Sequence, residues 1–201
     1  MIIKKICVFC SARDGVQKSF KDAAEKCGEL IGKNGYDLVY GGSSRGLMGV
    51  TANAAAKNGA KVIGIFPRPL CPLDTDKYHN GHKLTENEQY ETLNTNMDEA
   101  LFVDNMFERK EKMFSTSDVF ITLPGGLGTI DEFFEIITIK NLGWHTKESI
   151  IVNTDGYWDE MIAMINKAID NKFASKGCHK AYKVVSTPEE AFDYIAKLCI
   201  I

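Results

Sequence analysis

Residues 118–132 read DVFITLPGGLGTIDE, and this stretch decides the fold. After the leading aspartate, its first part is apolar or β-branched at every position, which predicts a strand buried on both faces. Gly125, Gly126 and Gly128 then let the backbone turn tightly and leave its N–H groups uncovered. A helical pattern begins directly afterwards, so the positive end of a helix faces the loop. This order predicts an α/β protein with an anion site at the loop.

The same alternation of strand and helix runs along the whole chain of 201 residues. Apolar runs predict strands over Ile2–Phe9, Asp37–Tyr40, Lys61–Phe66, Ala100–Val103, Asp118–Leu123, Ser149–Val152 and Lys183–Val185. Helical spacing predicts helices over Ser19–Lys33, Leu47–Lys57, Met106–Phe114, Thr129–Leu142, Tyr157–Asn171 and Pro188–Leu198. A strand and a helix about every 30 residues are typical of a doubly wound, mostly parallel sheet. We therefore predict a Rossmann-like α/β fold, with residues 1–201 as a single nucleotide-binding domain.

Composition and charge exclude several classes of protein. The net charge is −3, and no basic run alternates with aromatic residues, so no nucleic-acid partner is expected. No apolar stretch approaches the roughly 20 residues that span a bilayer, and the apolar N-terminal run is too short for a signal peptide. Six scattered cysteines do not form a dense disulfide framework, which favours a cytoplasmic protein with reduced thiols. No metal or cofactor is expected.

Three predicted strand ends carry small, flexible residues, at Cys10–Gly15, Gly41–Gly46 and Pro124–Thr129. In an open α/β sheet, ligands bind beyond the carboxyl ends of the strands, so these loops are expected to meet at one site. A triphosphate loop is excluded because no glycine is followed by Lys and then Ser or Thr. A dinucleotide fingerprint would follow the first strand and an acid would close the second, and neither is present, which argues against NAD.

Acidic side chains follow the third loop at Asp131, Glu132 and Glu135. They could simply complement the positive end of the helix dipole. Alternatively, one of them could face the bound ligand and act as a general base. Neighbouring helical residues point about 100° apart, so only one of the first two carboxylates can face the loop. Spacing alone does not decide between these interpretations.

The charged run Glu108–Lys112 lies on the preceding predicted helix. Such runs are usually solvated, and we expect Met106, Met113 and Phe114 to form the buried side of this helix. Arg109 lies near the N-terminus of the helix, beyond a strand end, and could reach a phosphate or a ribose.

Other chemically suggestive residues favour structural roles. Cys7 and Cys10 have a redox-like spacing, but residues three apart in a strand face opposite ways. His79 and His82 lack further ligands nearby and do not predict a zinc site. Trp144 and His145 could line a pocket or simply end a helix. The polar stretch Arg68–Asn96 is a long excursion, of the length that often forms a lid or a partner-contact surface.

Several motifs together resemble one family. Residues 124–132, PGGLGTIDE, fit the pattern PGGxGTxxE, and residues 106–110, MFERK, resemble MHxRK with Phe107 in place of histidine. Residues 40–49, YGGSSRGLMG, resemble YGGGxxGLMG, and shorter matches lie at residues 63–67, 142–145 and 153–157. The chain thus resembles the LOG ("lonely guy") family of cytokinin riboside 5′-monophosphate phosphoribohydrolases. Its bacterial members have often been labelled lysine decarboxylases, although nothing here singles out a lysine for a Schiff base.

The resemblance implies a Rossmann-like homodimer that binds a nucleotide monophosphate. It implies cleavage of the N-glycosidic bond of AMP or N6-substituted AMP to the free base and ribose 5-phosphate. By motif position, Arg109 and Glu132 would be the catalytic pair. The substrate-binding residues would be Ser11, Gly42, Gly46, Met106, Arg109, Lys110, Gly125, Gly126, Gly128 and Thr129. A non-catalytic nucleotide sensor on the same scaffold is the main alternative, and a hydrolase acting on another ribose 5-phosphate compound is a further one.

Overall fold

Strands and helices alternate throughout the part of the chain that the computed structural model describes, residues 2–68, 94 and 96–198. The strands are β1 (Lys5–Phe9), β2 (Asp37–Tyr40), β3 (Val62–Pro67), β4 (Glu99–Val103), β5 (Val119–Thr122), β6 (Glu148–Val152) and β7 (Lys183–Val185). The helices are α1 (Lys18–Lys33), α2 (Gly46–Lys57), α3 (Met106–Thr116), α4 (Leu127–Asn141), α5 (Asp159–Asp170) and α6 (Pro188–Leu198). Every predicted element is present; the largest difference is that β1 begins at Lys5 instead of Ile2.

All of these strands pair in parallel in one sheet of order β4-β3-β2-β1-β5-β6-β7. The chain moves outward from β1 to β4 on one side and then returns to place β5 against the other side of β1. The strand order therefore reverses between β1 and β5, and a crevice opens beyond the carboxyl ends of these two strands. The doubly wound, Rossmann-like fold predicted from the sequence is confirmed.

Helices cover both faces of the sheet, which explains why its central strands are apolar on both sides. Buried residues of α1, α2 and α6 pack on one face, together with Val8 and Ile121 of the central strands. Buried residues of α3 and α4 pack on the opposite face with Cys7 and Phe120, and α5 packs against α4 nearby. Cys10 belongs to the first face and Cys7 to the second, so the predicted separation of the two thiols is confirmed.

Two sequence features lie wholly or mostly outside the described residues. These are the pair His79 and His82 and most of the excursion Arg68–Asn96. At the end of that excursion, the buried Asn94 donates its backbone N–H to the carbonyl oxygen of Gly42, 3.0 Å away.

None of the described helices is long and apolar enough to cross a membrane. Among the described residues, no three His, Cys, Asp or Glu side chains cluster as metal ligands would.

Helices α1 and α2 approach each other closely at Gly28. A Cβ atom at this position would collide with the backbone carbonyl oxygen of Thr51 and lie 2.9 Å from the Cβ of Ala54. Backbone cannot give way as a flexible side chain can, so glycine is required for this helix packing. The contact matters for the site because α1 and α2 follow the first two loops in the chain.

We predict that Gly28→Ala lowers the free energy of unfolding by about 1–3 kcal/mol, because overpacking a close helix contact outweighs the higher helix propensity of alanine. Urea unfolding followed by circular dichroism measures the change. Glu25→Ala, at an exposed position of the same helix, is the control and should change stability by less than about 0.5 kcal/mol. Equal stability of Gly28→Ala and the unmodified protein would contradict the close packing.

Candidate active site at the strand crossover

The three predicted loops meet at the carboxyl edge of the sheet, where hydrogen bonds join them. The backbone N–H of Ser11 donates to the carbonyl oxygen of Pro124 (3.3 Å), which links the loops after β1 and β5. The N–H of Met48 donates to the carbonyl oxygen of Ser11 (3.2 Å), which links α2 to the first loop. Asp14 accepts the N–H of Gly46 (3.0 Å) and pairs with Arg45. The loops therefore form one connected surface.

The third loop opens toward solvent at the start of α4. Residues 126–128 are exposed, and a Cβ atom at Gly126 or Gly128 would meet nothing within 4 Å. Gly126 also lacks a side chain that could cap the first N–H groups of the helix, which leaves them available for an anion. Thr129 is buried beneath this surface, and a Cβ at Gly125 would collide with its side chain. Gly125 thus allows close packing, whereas Gly126 and Gly128 line open space.

Arg109 of α3 is buried under the same edge, with 6% of its side chain exposed. Its Nε donates to the carbonyl oxygen of Ile65 (3.1 Å) and its Nη2 to that of Gly41 (3.2 Å). Its Nη1 lies 3.3 Å from Oε1 of Glu132. Two strand ends and one carboxylate therefore hold the guanidinium in a single orientation.

Glu132 of α4 is equally buried, with 5% of its side chain exposed, whereas the side chain of the adjacent Asp131 is 58% exposed. Asp131 points outward and forms an ion pair with Lys110 (3.0 Å). Glu132 thus lies inward and Asp131 outward, as expected for neighbouring helical residues that point about 100° apart. That Glu132 faces a ligand at the loop stays a prediction. An uncompensated buried charge is costly, so the contact with Arg109 is what makes this position tolerable for a carboxylate.

Lys110 is held by two carboxylates on the next helix, those of Asp131 and Glu135, the latter at 2.8 Å. Burial alone would lower its pKa, but hydrogen bonds to Glu135 and Asp131 outweigh that effect and raise the pKa of Lys110. The side chain stays an ammonium ion at neutral pH.

A cavity of about 410 Å³ opens between α3 and α4 beside Glu132. Much of its wall is apolar or aromatic, with charged groups at one side. The lining residues are Phe9, Lys110, Glu111, Phe114, Glu132, Glu135, Ile136, Ile139 and Trp144. A buried carboxylate next to an apolar cavity is the arrangement expected where a small organic ligand meets a reactive group.

His145 holds the end of this wall in place. Its Nδ1 accepts the backbone N–H of Lys147 (3.1 Å), so Nε2 carries the proton and donates to the carbonyl oxygen of Ile136 (3.0 Å). Trp144, the preceding residue, lines the cavity. Both sequence interpretations of this segment are therefore correct, since it ends α4 and also lines a pocket. Burial, with the nearby charges of Lys140 and Lys147, lowers the pKa of His145.

The predicted buried side of α3 is wrong in one position. Met113 is buried as expected, but Met106 is 42% exposed, and Arg109 takes the inward position instead. Met106 and Arg109 are three residues apart and so lie near the same face of the helix. The backbone carbonyls of Ile65 and Gly41 meet that face, and they favour the guanidinium because it can donate several hydrogen bonds. Met106 lies at the N-terminus of α3, at the rim of the site.

The two predicted site glycines of the second loop have structural reasons of their own. Gly42 has φ 84° and Gly46 has φ 56°, a backbone region that favours glycine. A Cβ at Gly46 would lie 2.5 Å from the carbonyl carbon of Ala12 in the first loop. A Cβ at Gly42 would lie 2.9 Å from the ring of Phe66. Both positions shape the loops, and neither has open space beside it as Gly126 does.

Two residues that help to build the site were missed as site residues. Gly41 lets the guanidinium of Arg109 approach, because a Cβ there would collide with Nη2. Tyr157 donates its hydroxyl to the carbonyl oxygen of Gly125, 2.6 Å away. Both lie within motifs that carried the family resemblance, so the motifs were the available signal. Their contacts join distant parts of the chain and could not be inferred from spacing.

The Cys7 thiol, which lies within the influence of the charges of Glu132 and Arg109, is poorly suited to redox chemistry. Cys7 is fully buried, and burial, followed by the negative charge of Glu132, raises its pKa well above the ordinary value. A reactive thiol requires the opposite shift. Among the described cysteines, Cys7, Cys27 and Cys178 are free thiols.

Fold and site together define a class: a Rossmann-like α/β protein with an exposed glycine loop beside a buried arginine–glutamate pair. A family model described as "Possible lysine decarboxylase" matches residues 48–195. The chain is 38% identical over 196 residues to cytokinin riboside 5′-monophosphate phosphoribohydrolase LOG1 of Arabidopsis thaliana, covering 97% of this chain and 82% of the relative. It is 37% identical over 191 residues to the probable phosphoribohydrolase LOGL6 of Oryza sativa subsp. japonica, covering 94% and 69%. The chain belongs to the LOG family.

Solved structures share the fold at lower identity. The molybdenum cofactor binding protein of Rippkaea orientalis superposes with a TM-score of 0.69 at 21% identity, covering 99% of both chains. The Moco carrier protein of Chlamydomonas reinhardtii also has a TM-score of 0.69, at 17% identity and 99% coverage of both chains. At these identities the likeness concerns the fold alone.

We predict that His145 makes folding sensitive to acid. The pKa of His145 is lower in the folded protein than the ordinary value near 6.5, which applies to the unfolded chain. At a pH between these two pKa values, the imidazole is mostly protonated in the unfolded chain and mostly neutral in the folded protein. Acid therefore favours unfolding. This contribution to the free energy of unfolding is complete above about pH 6.5 and is lost as the pH falls, by less than about 1.4 kcal/mol per pH unit.

Urea midpoints at pH 7.5 and pH 5.5 measure this effect in the unmodified protein and in His145→Gln, whose amide can still donate to Ile136. The midpoint of the unmodified protein should fall further on acidification than that of the variant. The same pH dependence in both proteins would contradict the interpretation.

Proposed function

We propose that this chain hydrolyses the N-glycosidic bond of AMP or N6-substituted AMP, releasing the free base and ribose 5-phosphate. The observation that carries the proposal is the buried pair of Arg109 and Glu132, with Glu132 on the helix that begins at the exposed glycine loop. Curated relatives at 36–38% identity bear the name of this activity. The chain is accordingly an enzyme, a hydrolase of N-glycosyl bonds.

The phosphate of the nucleotide binds at the third loop, over Gly125, Gly126, Gly128 and Thr129. The uncapped N–H groups at the start of α4 donate to its oxygens, and the helix dipole favours its negative charge. What supports this assignment is the open space above Gly126 and Gly128. Ser11, Gly42 and Gly46 shape the adjoining loops, and their contact with substrate is part of the proposal. The whole chain, residues 1–201, would act as one nucleotide-binding domain.

Glu132 is proposed to assist the chemical step. Cleavage passes through a state in which positive charge develops at the anomeric carbon, and an ionised carboxylate stabilises that charge. The carboxylate then takes a proton from the attacking water. The new bond joins the water oxygen to C1′, the bond from C1′ to the base nitrogen breaks, and the electron pair of that bond stays on the base. The base takes up one proton from solvent, and the proton that Glu132 took from water is released to solvent, so the step balances.

Arg109 orients that carboxylate. Two backbone carbonyls, of Ile65 and Gly41, occupy its Nε and Nη2, so Nη1 is the donor directed at Glu132. Arginine suits this position because its planar fork serves several acceptors at once. Met106 and Lys110, at the start of α3, are proposed to contact the substrate at the rim.

Decarboxylation of lysine, the other activity attached to the family description, is poorly supported by the site. A lysine that forms a Schiff base needs a lowered pKa. Lys110 is the lysine among the cavity residues, and its pKa is raised by Glu135 and Asp131.

A non-catalytic nucleotide sensor is less favoured because such a protein has no need of a buried Arg109–Glu132 pair.

Assembly, partners and location remain predictions. Exposed apolar side chains near the site, Phe107 (81%), Leu127 (86%) and Trp144 (77%), support the expected homodimer, because burying them would be favourable. The absence of a nucleic-acid partner and a cytoplasmic location rest on composition and charge.

We predict that Glu132→Gln lowers the rate of adenine release from AMP by about 10²–10⁴-fold, the usual effect of losing a general base. The amide keeps the shape of the side chain and can still bond to Arg109, so folding should persist. Chromatography of the released base gives the rate. Asp131→Asn, the outward neighbour, is the matched control and should retain activity within about threefold. Near-normal release by Glu132→Gln would disprove the assignment.

We also predict that AMP is a better substrate than adenosine by about 10²-fold or more in kcat/KM. Two charge-assisted hydrogen bonds to the phosphate, at about 1.5–3 kcal/mol each, account for this factor. Parallel reactions with AMP, N6-isopentenyl-AMP, CMP and adenosine measure the preference. Tight AMP binding without base release from any nucleotide would favour the sensor, and release from CMP at the same rate would favour a general ribose 5-phosphate hydrolase.

A further inference from the structure

The hydroxyl of Tyr157 donates to the carbonyl oxygen of Gly125, 2.6 Å away, although the two residues belong to different strand–helix connections. Gly125 follows β5, and Tyr157 follows β6, the next strand of the sheet. The bond therefore joins the phosphate loop to a rigid neighbour. Nothing in the chemical step described above uses this hydroxyl.

The ring of Tyr157 packs against two aromatic rings, while 41% of the residue is exposed. It meets the ring of Phe20 of α1 edge-on at 5.3 Å and the ring of Trp158 edge-on at 4.7 Å. Trp158 is itself buried, with only 3% of the residue exposed. Aromatic pairs in this geometry hold a ring in one orientation. Packing between α1 and the start of α5 thus positions the hydroxyl of Tyr157 next to the carbonyl oxygen of Gly125.

The turn that leads to Tyr157 is equally constrained. Asn153 accepts the N–H of Trp158 and donates to the carboxylate of Asp159, each at 2.7 Å. Asp155 has φ 53° and Gly156 has φ 72°, so two successive residues take the left-handed conformation. Asp and Gly adopt this conformation more readily than most residues, and here they form the tight turn that precedes Tyr157. The position of Tyr157 is therefore set by the fold.

The carbonyl that Tyr157 holds controls an N–H group of the phosphate site. In a planar trans peptide, the carbonyl of Gly125 and the N–H of Gly126 point in opposite directions. Glycines on both sides of this peptide offer little steric resistance to its rotation. A donor on the Gly125 carbonyl thus selects one orientation, in which the Gly126 N–H points away from Tyr157.

We propose that Tyr157 is a positioning residue for the phosphate: its hydroxyl holds the Gly125–Gly126 peptide so that the Gly126 N–H is directed at the bound anion. This inference rests on the proposed function, because it takes the loop to be the phosphate site. A pre-oriented donor need not be ordered when the ligand binds, so binding is tighter.

Tyr157→Phe tests the proposal because it removes the hydroxyl and keeps the ring against Phe20 and Trp158. One net hydrogen bond corresponds to about three- to tenfold in affinity, so the KM for AMP should rise by that factor, with a smaller change in kcat. Inhibition by inorganic phosphate should weaken by the same factor. Adenosine, which lacks the phosphate, should bind both proteins equally. Tyr182→Phe, whose ring packs on Phe133, is the matched control and should change none of these values.

Calorimetry of AMP and adenosine binding in a Glu132→Gln background separates this inference from the proposed function. A loss confined to AMP in Glu132→Gln/Tyr157→Phe supports the role of Tyr157, even if the unmodified enzyme releases no base, a result that would overturn only the catalytic proposal. Unchanged AMP binding, or an equal loss for adenosine, would overturn the role of Tyr157. Failure of AMP to bind Glu132→Gln at all would overturn both.

Discussion

The buried ion pair between Arg109 and Glu132 is the interaction on which the rest of the site depends. A buried carboxylate or guanidinium is strongly unfavourable unless its charge and its hydrogen-bonding groups are matched. Here the match requires α3, α4 and the carboxyl ends of β2 and β3 to lie in fixed relative positions. Gly41 is part of that requirement, because any side chain there would displace the guanidinium. The fold thus sets the positions of Arg109 and Glu132, and their ion pair in turn disfavours changes in the relative positions of the elements that contact it.

The strand order explains why this pair lies next to a phosphate-type loop. The chain reverses direction across the sheet between β1 and β5, so the loops after these strands are neighbours and leave a crevice. Ser11 and Pro124 are joined directly across it. The loop after β5 leads into α4, whose second turn carries Glu132. One short segment thus places an exposed glycine loop and a buried carboxylate about one helical turn apart.

Much of this could be predicted from residues 118–132 and the periodicity around them. Strands buried on both faces are continuously apolar, and amphipathic helices show their spacing, so all of the described strands and α-helices were anticipated. The short 3-10 helices at Thr154–Gly156 and Lys176–Lys180 were not predicted. The side of α3 that is buried was predicted incorrectly at Met106, because spacing reports which residues share a face and says nothing about what they meet. Spacing alone left the choice between Asp131 and Glu132 open for the same reason, whereas the motif match pointed to Glu132. The structure then shows the outward ion pair of Asp131 with Lys110 and the inward position of Glu132.

By itself, the sequence determined the α/β class, the order of its elements, the three glycine loops and the family to which the motifs point. These are local properties, set by side-chain periodicity and backbone freedom within a few residues. Only the tertiary structure decided which acid is buried, that Arg109 is its partner, and that Tyr157 holds the loop. The contacts of Arg109 join residues 23, 44 and 68 positions apart, and that of Tyr157 joins residues 32 apart. Such contacts form where elements pack together, and no local pattern encodes them.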